Sequence, residues 1–145
     1  TEPDADRRAS IDAWAEGLEN VAPAVALDAV RAGWSAEHAG QDLIVLVNLL
    51  HLISTPETET LIAEAAQALA TGGRLVVYGP FLRAGELTSE GDARFDATLR
   101  SQDPEIGYKD DFDVMDLMQG AGLEMVLVVE MPANNLALVA ERPAI

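Results

Sequence analysis

Residues Asp42 to Tyr78, DLIVLVNLLHLISTPETETLIAEAAQALATGGRLVVY, carry the pattern of a strand, a helix and a second strand. Leu43 to Val47 form an unbroken aliphatic run without the polar alternation of a half-exposed strand, so they read as a strand covered on both faces. Thr55, Pro56 and Glu57 then supply an N-cap, a proline at the first helical position and an early acid. Leu61, Ile62, Ala65 and Leu69 follow at helical spacing, and Gly72 reads as the helix stop. Arg74 to Tyr78 is another aliphatic strand, closed by Gly79 and Pro80. A strand, a helix and a strand in that order predict a right-handed crossover with parallel strands.

The pattern extends in both directions. Upstream, Ile11, Trp14, Ala15 and Leu18 lie on one face of an amphipathic helix over Asp4 to Leu18, preceded by acids that suit its amino terminus. Val25 to Ala29 is a short apolar run bounded by Pro23, expected to be a buried strand. Downstream, Phe81 to Ser89 is polar, and a segment from about Gly91 to Gln102 places Phe95, Thr98 and Leu99 on one helical face, as an inserted lid would. Asp110 to Ala121 predicts a helix closed by Gly122. Leu123 to Met131 and Leu136 to Ala140 are two strands joined by Pro132, Ala133, Asn134 and Asn135, a link so short that they must be antiparallel. The expected architecture is a doubly wound α/β sheet ending in an antiparallel hairpin, in one domain over residues 1–145.

Composition limits the function. Apolar residues make up 49% of the chain, in periodic blocks that indicate a packed core. Nine Lys and Arg face 25 Asp and Glu, a net charge of −16 that disfavours nucleic acid and anionic membrane surfaces as partners. No apolar run is long enough for a spanning helix. The absence of Cys removes disulfides, thiolate nucleophiles and thiolate metal sites, and with no signal-peptide pattern at the start the expected location is cytoplasmic. His38 and His51 lack carboxylates at ligand spacing, so no metal is expected. No Gly-x-Ser-x-Gly elbow surrounds any serine, which argues against acyl transfer.

In an open parallel sheet, ligands bind beyond the carboxyl ends of the strands, and the residues there are polar. Asp28 follows the first run, Asn48 and His51 the second, Tyr78 and Phe81 the third, and Asn134 and Asn135 occupy the hairpin. His51 is a candidate general base, since an ordinary imidazole exchanges protons near neutrality, or else a structural residue at a strand end. His38 reads as a solvent-exposed loop residue, and Trp14 and Trp34 as packing residues. Asn134 and Asn135 tolerate left-handed backbone and also serve as simple turn residues.

The segments SIDAW (Ser10 to Trp14), NLLHLIS (Asn48 to Ser54), YGPF (Tyr78 to Phe81), FDATL (Phe95 to Leu99) and MPANN (Met131 to Asn135) resemble the methyltransferase-like 26 family. The resemblance runs from end to end and implies a Rossmann-like class I methyltransferase fold, a three-layer sandwich, with S-adenosylmethionine as cofactor and a small molecule as methyl acceptor. In that class a glycine-rich turn after the first strand holds the methionine portion, and acids after the second and third strands hold the ribose and adenine. By position Glu2 and Asp28 resemble those two acids, with Asn48 beside them, and Tyr78, Phe81, Asn134 and Asn135 would face the acceptor. No GxGxG turn occurs in these residues. The resemblance therefore implies the carboxy-terminal two-thirds of such a fold, without its first two strands and with Leu43 to Val47 at an open sheet edge. Two functions follow as expectations: methyl transfer to a small molecule assisted by His51, or a non-catalytic interaction module that pairs with a second copy through that edge.

Overall fold

The structure, a computed structural model, describes residues 1–145. The chain folds as helix α1 (Ala5–Trp14), strand β1 (Gln41–Val47), helix α2 (Thr55–Ala68), strand β2 (Leu69–Pro80), helices α3 (Glu90–Gln102) and α4 (Asp111–Gly120), and strands β3 (Glu124–Glu130) and β4 (Asn135–Glu141). The strands form one sheet in the order β1-β2-β4-β3. β1 and β2 are parallel across the α2 crossover, while β4 is antiparallel to both β2 and β3. β3 therefore runs with β1 and β2, and the β3–β4 turn lies at the carboxyl ends of the parallel strands. That placement brings Asn134 and Asn135 to the same end of the sheet as Asn48 and His51.

One face of the sheet carries the core. Leu75 and Val77 of β2 and Leu136, Leu138 and Ala140 of β4 pack with Leu61, Ile62, Ala65 and Ala66 of α2 and Val114 and Met118 of α4. The start of α2 is fixed by a capping box, in which the Ser54 hydroxyl accepts from Glu57 N at 3.3 Å and the Glu57 carboxylate accepts from Ser54 N at 2.8 Å. Thr55 and Pro56 thus occupy the first turn, and the cap is one residue earlier than the sequence suggested.

The opposite face is open in the described chain. Val45, Val76, Val139 and Leu127 lie in register across the four strands. At its margin Leu43, Val45 and Val47 of the edge strand β1 are 57%, 51% and 56% exposed. These residues supply two layers, one face of helices on the sheet; the covering expected over both faces of Leu43 to Val47 is present on one.

Three local expectations are corrected. Residues 25–29 are not a strand: the run is rich in alanine, no neighbouring strand reaches it, and its carbonyl at Val25 accepts one bond, from Glu2 N at 3.0 Å. Helix α1 ends at Trp14 and buries nothing; Trp14 is 87% exposed, so it is not a packing residue, whereas Trp34 packs on the core and donates its indole N–H to Ala29 O at 2.9 Å. Helix α2 stops at Ala68, four residues before Gly72, because Leu69 already pairs with Gln41. Residues 70–73 then bulge out of the ladder. Gly73 passes so close to β1 that a Cβ there would meet Gln41 O at 2.6 Å, and this contact requires glycine.

Candidate active site

Asn48 follows β1 in the left-handed region (φ 53°), with its N–H bonded to Tyr78 O at 2.9 Å. The chain then makes a single 3-10 turn, Leu50–Leu52, before Ser54 caps α2. Leu50 anchors this turn in the core, and His51 is 6% exposed at the mouth of a cleft of about 420 Å³. Asn48, Leu52, Pro80, Asp92, Phe95, Tyr108, Ala133 and Asn135 complete the cleft wall. The rings of His51, Phe95 and Tyr108 pack edge to face in a triangle, with centroids 5.7, 6.1 and 6.0 Å apart. The His51 nitrogens make no hydrogen bond within the chain yet are not sealed off, so they are available to a ligand. Burial, and then the Lys109 charge, push the imidazole below its usual pKa of 6.5.

Asp92 organises the far wall. It accepts from the Tyr108 hydroxyl at 2.8 Å, the Ser89 hydroxyl at 2.7 Å, Thr88 Oγ1 at 3.1 Å and Asn134 Nδ2 at 3.3 Å. Burial opposes its ionisation, but these hydrogen bonds outweigh burial and hold its pKa below the usual 3.8. The same surroundings raise Tyr108, through burial first and then through the bond to Asp92 and the charges of Asp92 and Asp96, so the phenol stays protonated as a donor. One turn along α3, Asp96 accepts from Tyr108 N at 2.8 Å and pairs with Arg100 at 2.9 Å, while Arg100 donates to Tyr108 O at 3.2 Å. Through Asp92 and Phe95, α3 forms one wall of this cleft.

A second cleft, of about 510 Å³, opens between the end of β1 and residues 27–30. Glu2, Asp28 and Asn48 all line it, beside Val45, Val47, Leu49 and Leu52. Asn48 and Leu52 belong to both clefts, so the two spaces adjoin at the carboxyl end of β1. The Glu2 carboxylate accepts from Asp4 N at 3.0 Å, and Asp28 pairs with Arg31 at 3.1 Å on the surface. Behind this cleft the Glu64 carboxylate accepts from Gly33 N at 2.9 Å and Ser35 N at 2.8 Å, which fixes the turn carrying Trp34. His38 is half-buried against Trp34, with centroids 6.4 Å apart, instead of standing free in solvent.

The structure thus brings Glu2, Asp28 and Asn48 to one cleft, and His51 and Asn135 to the other. Asn134 reaches the His51 cleft through Asp92. Tyr78 and Phe81 do not line it. The Tyr78 hydroxyl accepts from Asn135 Nδ2 at 3.1 Å from behind, and Phe81, 2% exposed, belongs to the core because the chain turns inward after Pro80. Sequence reasoning missed Asp92 and Tyr108. The signal available was the pair of acids Asp92 and Asp96 sharing a helical face with Phe95 and Leu99.

A mixed sheet of this order, with its polar clefts at the carboxyl ends of the parallel strands, is the class I methyltransferase fold. PigF with SAH superimposes with a TM-score of 0.77 at 17% identity over 95% of this chain and 46% of that one. Human N-acetylserotonin methyltransferase in complex with SAM gives 0.70 at 15%, over 90% and 38%. An O-methyltransferase family 2 protein from Planctomyces limnophilus in complex with apigenin gives 0.63 at 26%, over 69% and 30%. The chain spans less than half the length of each. Residues 1–142 match the family described as protein of unknown function DUF938, and the chain belongs to that family. No helix is long and apolar enough to cross a membrane.

Proposed function

We propose that these residues form the acceptor and part of the cofactor site of an S-adenosylmethionine-dependent methyltransferase that acts on a small molecule. The observation that carries this reading is the junction at Asn48 and Leu52, where a carboxylate-lined cleft meets a second cleft containing a buried, unpartnered histidine. The donor set suits the cofactor: the carboxylates of Glu2 and Asp28 accept from hydroxyl and amino groups, the Asn48 amide can donate or accept, and Val45, Val47 and Leu49 offer apolar walls to a ring. An acidic protein of net charge −16 also favours a cationic sulfonium. Two of the similar structures hold SAM or SAH. When bound, S-adenosylmethionine supplies an electrophilic methyl group.

The chain's own residues do the rest. The ring triangle of His51, Phe95 and Tyr108 excludes water from one side of the acceptor. Asn135 and the Asp92–Tyr108 pair present polar groups that orient it. His51, held below its usual pKa, keeps a free lone pair at neutral pH and takes the proton of an acceptor hydroxyl, amine or acid at a ring nitrogen. The finer kinship with the methyltransferase-like 26 family belongs to the same proposal; it is supported by the hydrogen bond from Asn135 of MPANN to the Tyr78 hydroxyl of YGPF behind this cleft.

The test is methyl transfer by the full-length gene product to a panel of small hydroxylated, amino and acidic compounds, with wild type and His51→Gln compared. The reading expects turnover that falls by about 100-fold or more in the variant, in line with the usual contribution of a general base. Equal turnover by both proteins would remove His51 from the chemistry, and no turnover on any compound would count against the reading as a whole.

A further inference from the structure

Lys109 is the only lysine in the chain. It stands between Tyr108 and the start of α4, half-buried, and pairs with no carboxylate. Its ammonium donates to Leu50 O at 2.9 Å, Ile53 O at 2.7 Å and Gly107 O at 3.0 Å, so all three protons are used on backbone carbonyls. Leu50 and Ile53 bracket His51, whose own carbonyl accepts from Gly107 N at 3.0 Å. Three carbonyls of the turn that carries the histidine are therefore fixed to residues 107–109. That segment is itself tied to α3 through Asp92, Asp96 and Arg100, and to the loop after β2 through Leu82 N bonded to Lys109 O at 2.9 Å.

A lysine wholly committed to backbone carbonyls, two of which flank one histidine, does more than solubilise a surface. We propose that Lys109 is the positioning residue for His51, clamping the 50–53 turn against Tyr108 and Phe95 and setting a cation behind the imidazole. The proposal rests on the reading of His51 as the base of the acceptor cleft. The charged and titratable groups around the pair are Tyr108 and Lys109 from the segment before α4, Asp92, Asp96 and Arg100 from α3, and Glu57 from the first turn of α2. Burial and Arg100 weaken the protonation of Lys109, while Asp96 and Glu57 support it. Losing its charge removes one of the two influences that hold His51 low, the other being burial.

The experiment is an NMR titration of the two histidines in the 145-residue chain, with His38 as internal reference, for wild type, Lys109→Met and Lys109→Arg. In Lys109→Met the His51 midpoint should rise, His38 should stay in place, and the ring contacts from His51 to Phe95 should weaken. Lys109→Arg, which keeps the charge and the donors, should restore both. An unchanged His51 midpoint with intact ring contacts in a folded Lys109→Met protein overturns the proposal. If that variant does not fold, the wild-type ammonium decides: a single slowly exchanging lysine signal close to His51 supports the clamp, and a freely exchanging one overturns it. None of these readouts needs an acceptor, so failure of methyl transfer and failure of the clamp are recorded separately.

Discussion

Replacing Gly107 with alanine tests whether the segment that joins the acceptor cleft to α3 is held as described. Gly107 has φ +135°, a region populated almost only by glycine, and forcing alanine there costs about 1–3 kcal/mol. A Cβ would also meet Arg100 Cζ at 2.8 Å, Asp96 Oδ1 at 2.8 Å and Arg100 Nε at 2.9 Å. Those atoms form the ion pair and the Asp96–Tyr108 hydrogen bond, so relieving the contact loosens a charged interaction, which contributes about 1.5–3 kcal/mol when intact. Partial relaxation makes the two costs less than additive, and the net loss should be about 2–4 kcal/mol, or a melting temperature lower by roughly 5 to 15 °C for a chain of this length. Urea and thermal denaturation measure it. Because the segment carries Tyr108, binding in the acceptor cleft should weaken while the cleft lined by Glu2 and Asp28 is unaffected. A Gly107→Ala protein within about 0.5 kcal/mol of wild type, the range of an ordinary surface change, would mean that this segment is not held by the contacts with Asp96 and Arg100.

Asp28→Ala in the full-length gene product should weaken S-adenosylmethionine binding by about 1–3 kcal/mol through loss of a charged hydrogen bond; unchanged affinity by calorimetry removes Asp28 from the site. Glu64→Gln should destabilise the chain at neutral pH. The folded carboxyl lies below its usual 4.5 because Gly33 and Ser35 donate to it, so its contribution is present above about pH 4.5 and is lost as pH falls through the lower folded value. A wild-type minus variant difference that does not shrink on acidification would contradict this. Leu138→Ala, at a fully buried position, should cost about 2–5 kcal/mol in denaturant. The 145-residue chain should dimerise through the β1 edge, more strongly at high salt, where the repulsion of its negative charge is screened; a monomer by light scattering in both low and high salt sinks that expectation.

The elements most legible in the sequence were those whose signals are local. The run from Asp42 to Tyr78 gave the crossover because its aliphatic blocks, acid-rich helix start and glycines agree with one another. The short link at Pro132 to Asn135 dictated the antiparallel hairpin, though not the insertion of β4 between β2 and β3. Residues 25–29 were misread because a strand is defined by a partner, which a window of sequence does not contain. Trp14 was misplaced for the same reason: helical spacing marks an apolar face without saying whether anything covers it. Of the residues lining the two clefts, Asp28, Asn48 and His51 stood out in the sequence by their places after apolar runs, whereas Glu2 was suggested only by the family resemblance. Asp92, Tyr108 and Lys109 did not stand out, since their bonds join α3, the segment before α4 and the turn after β1, which are far apart in the chain. Phe81, one residue beyond a proline turn, looks alike in sequence whether it enters a cleft or the core.

On the proposed function, the cleft at Glu2, Asp28 and Asn48 takes S-adenosylmethionine next to an acceptor space bordered by His51. The most direct measurement is a crystal structure of the full-length gene product grown with S-adenosylhomocysteine. The ligand should lie in that cleft, with polar contacts to Asp28 and Glu2 and its sulfur end towards Asn48 and Leu52. A ligand bound on the far side of the sheet, or a cleft still empty at millimolar ligand, would contradict this assignment.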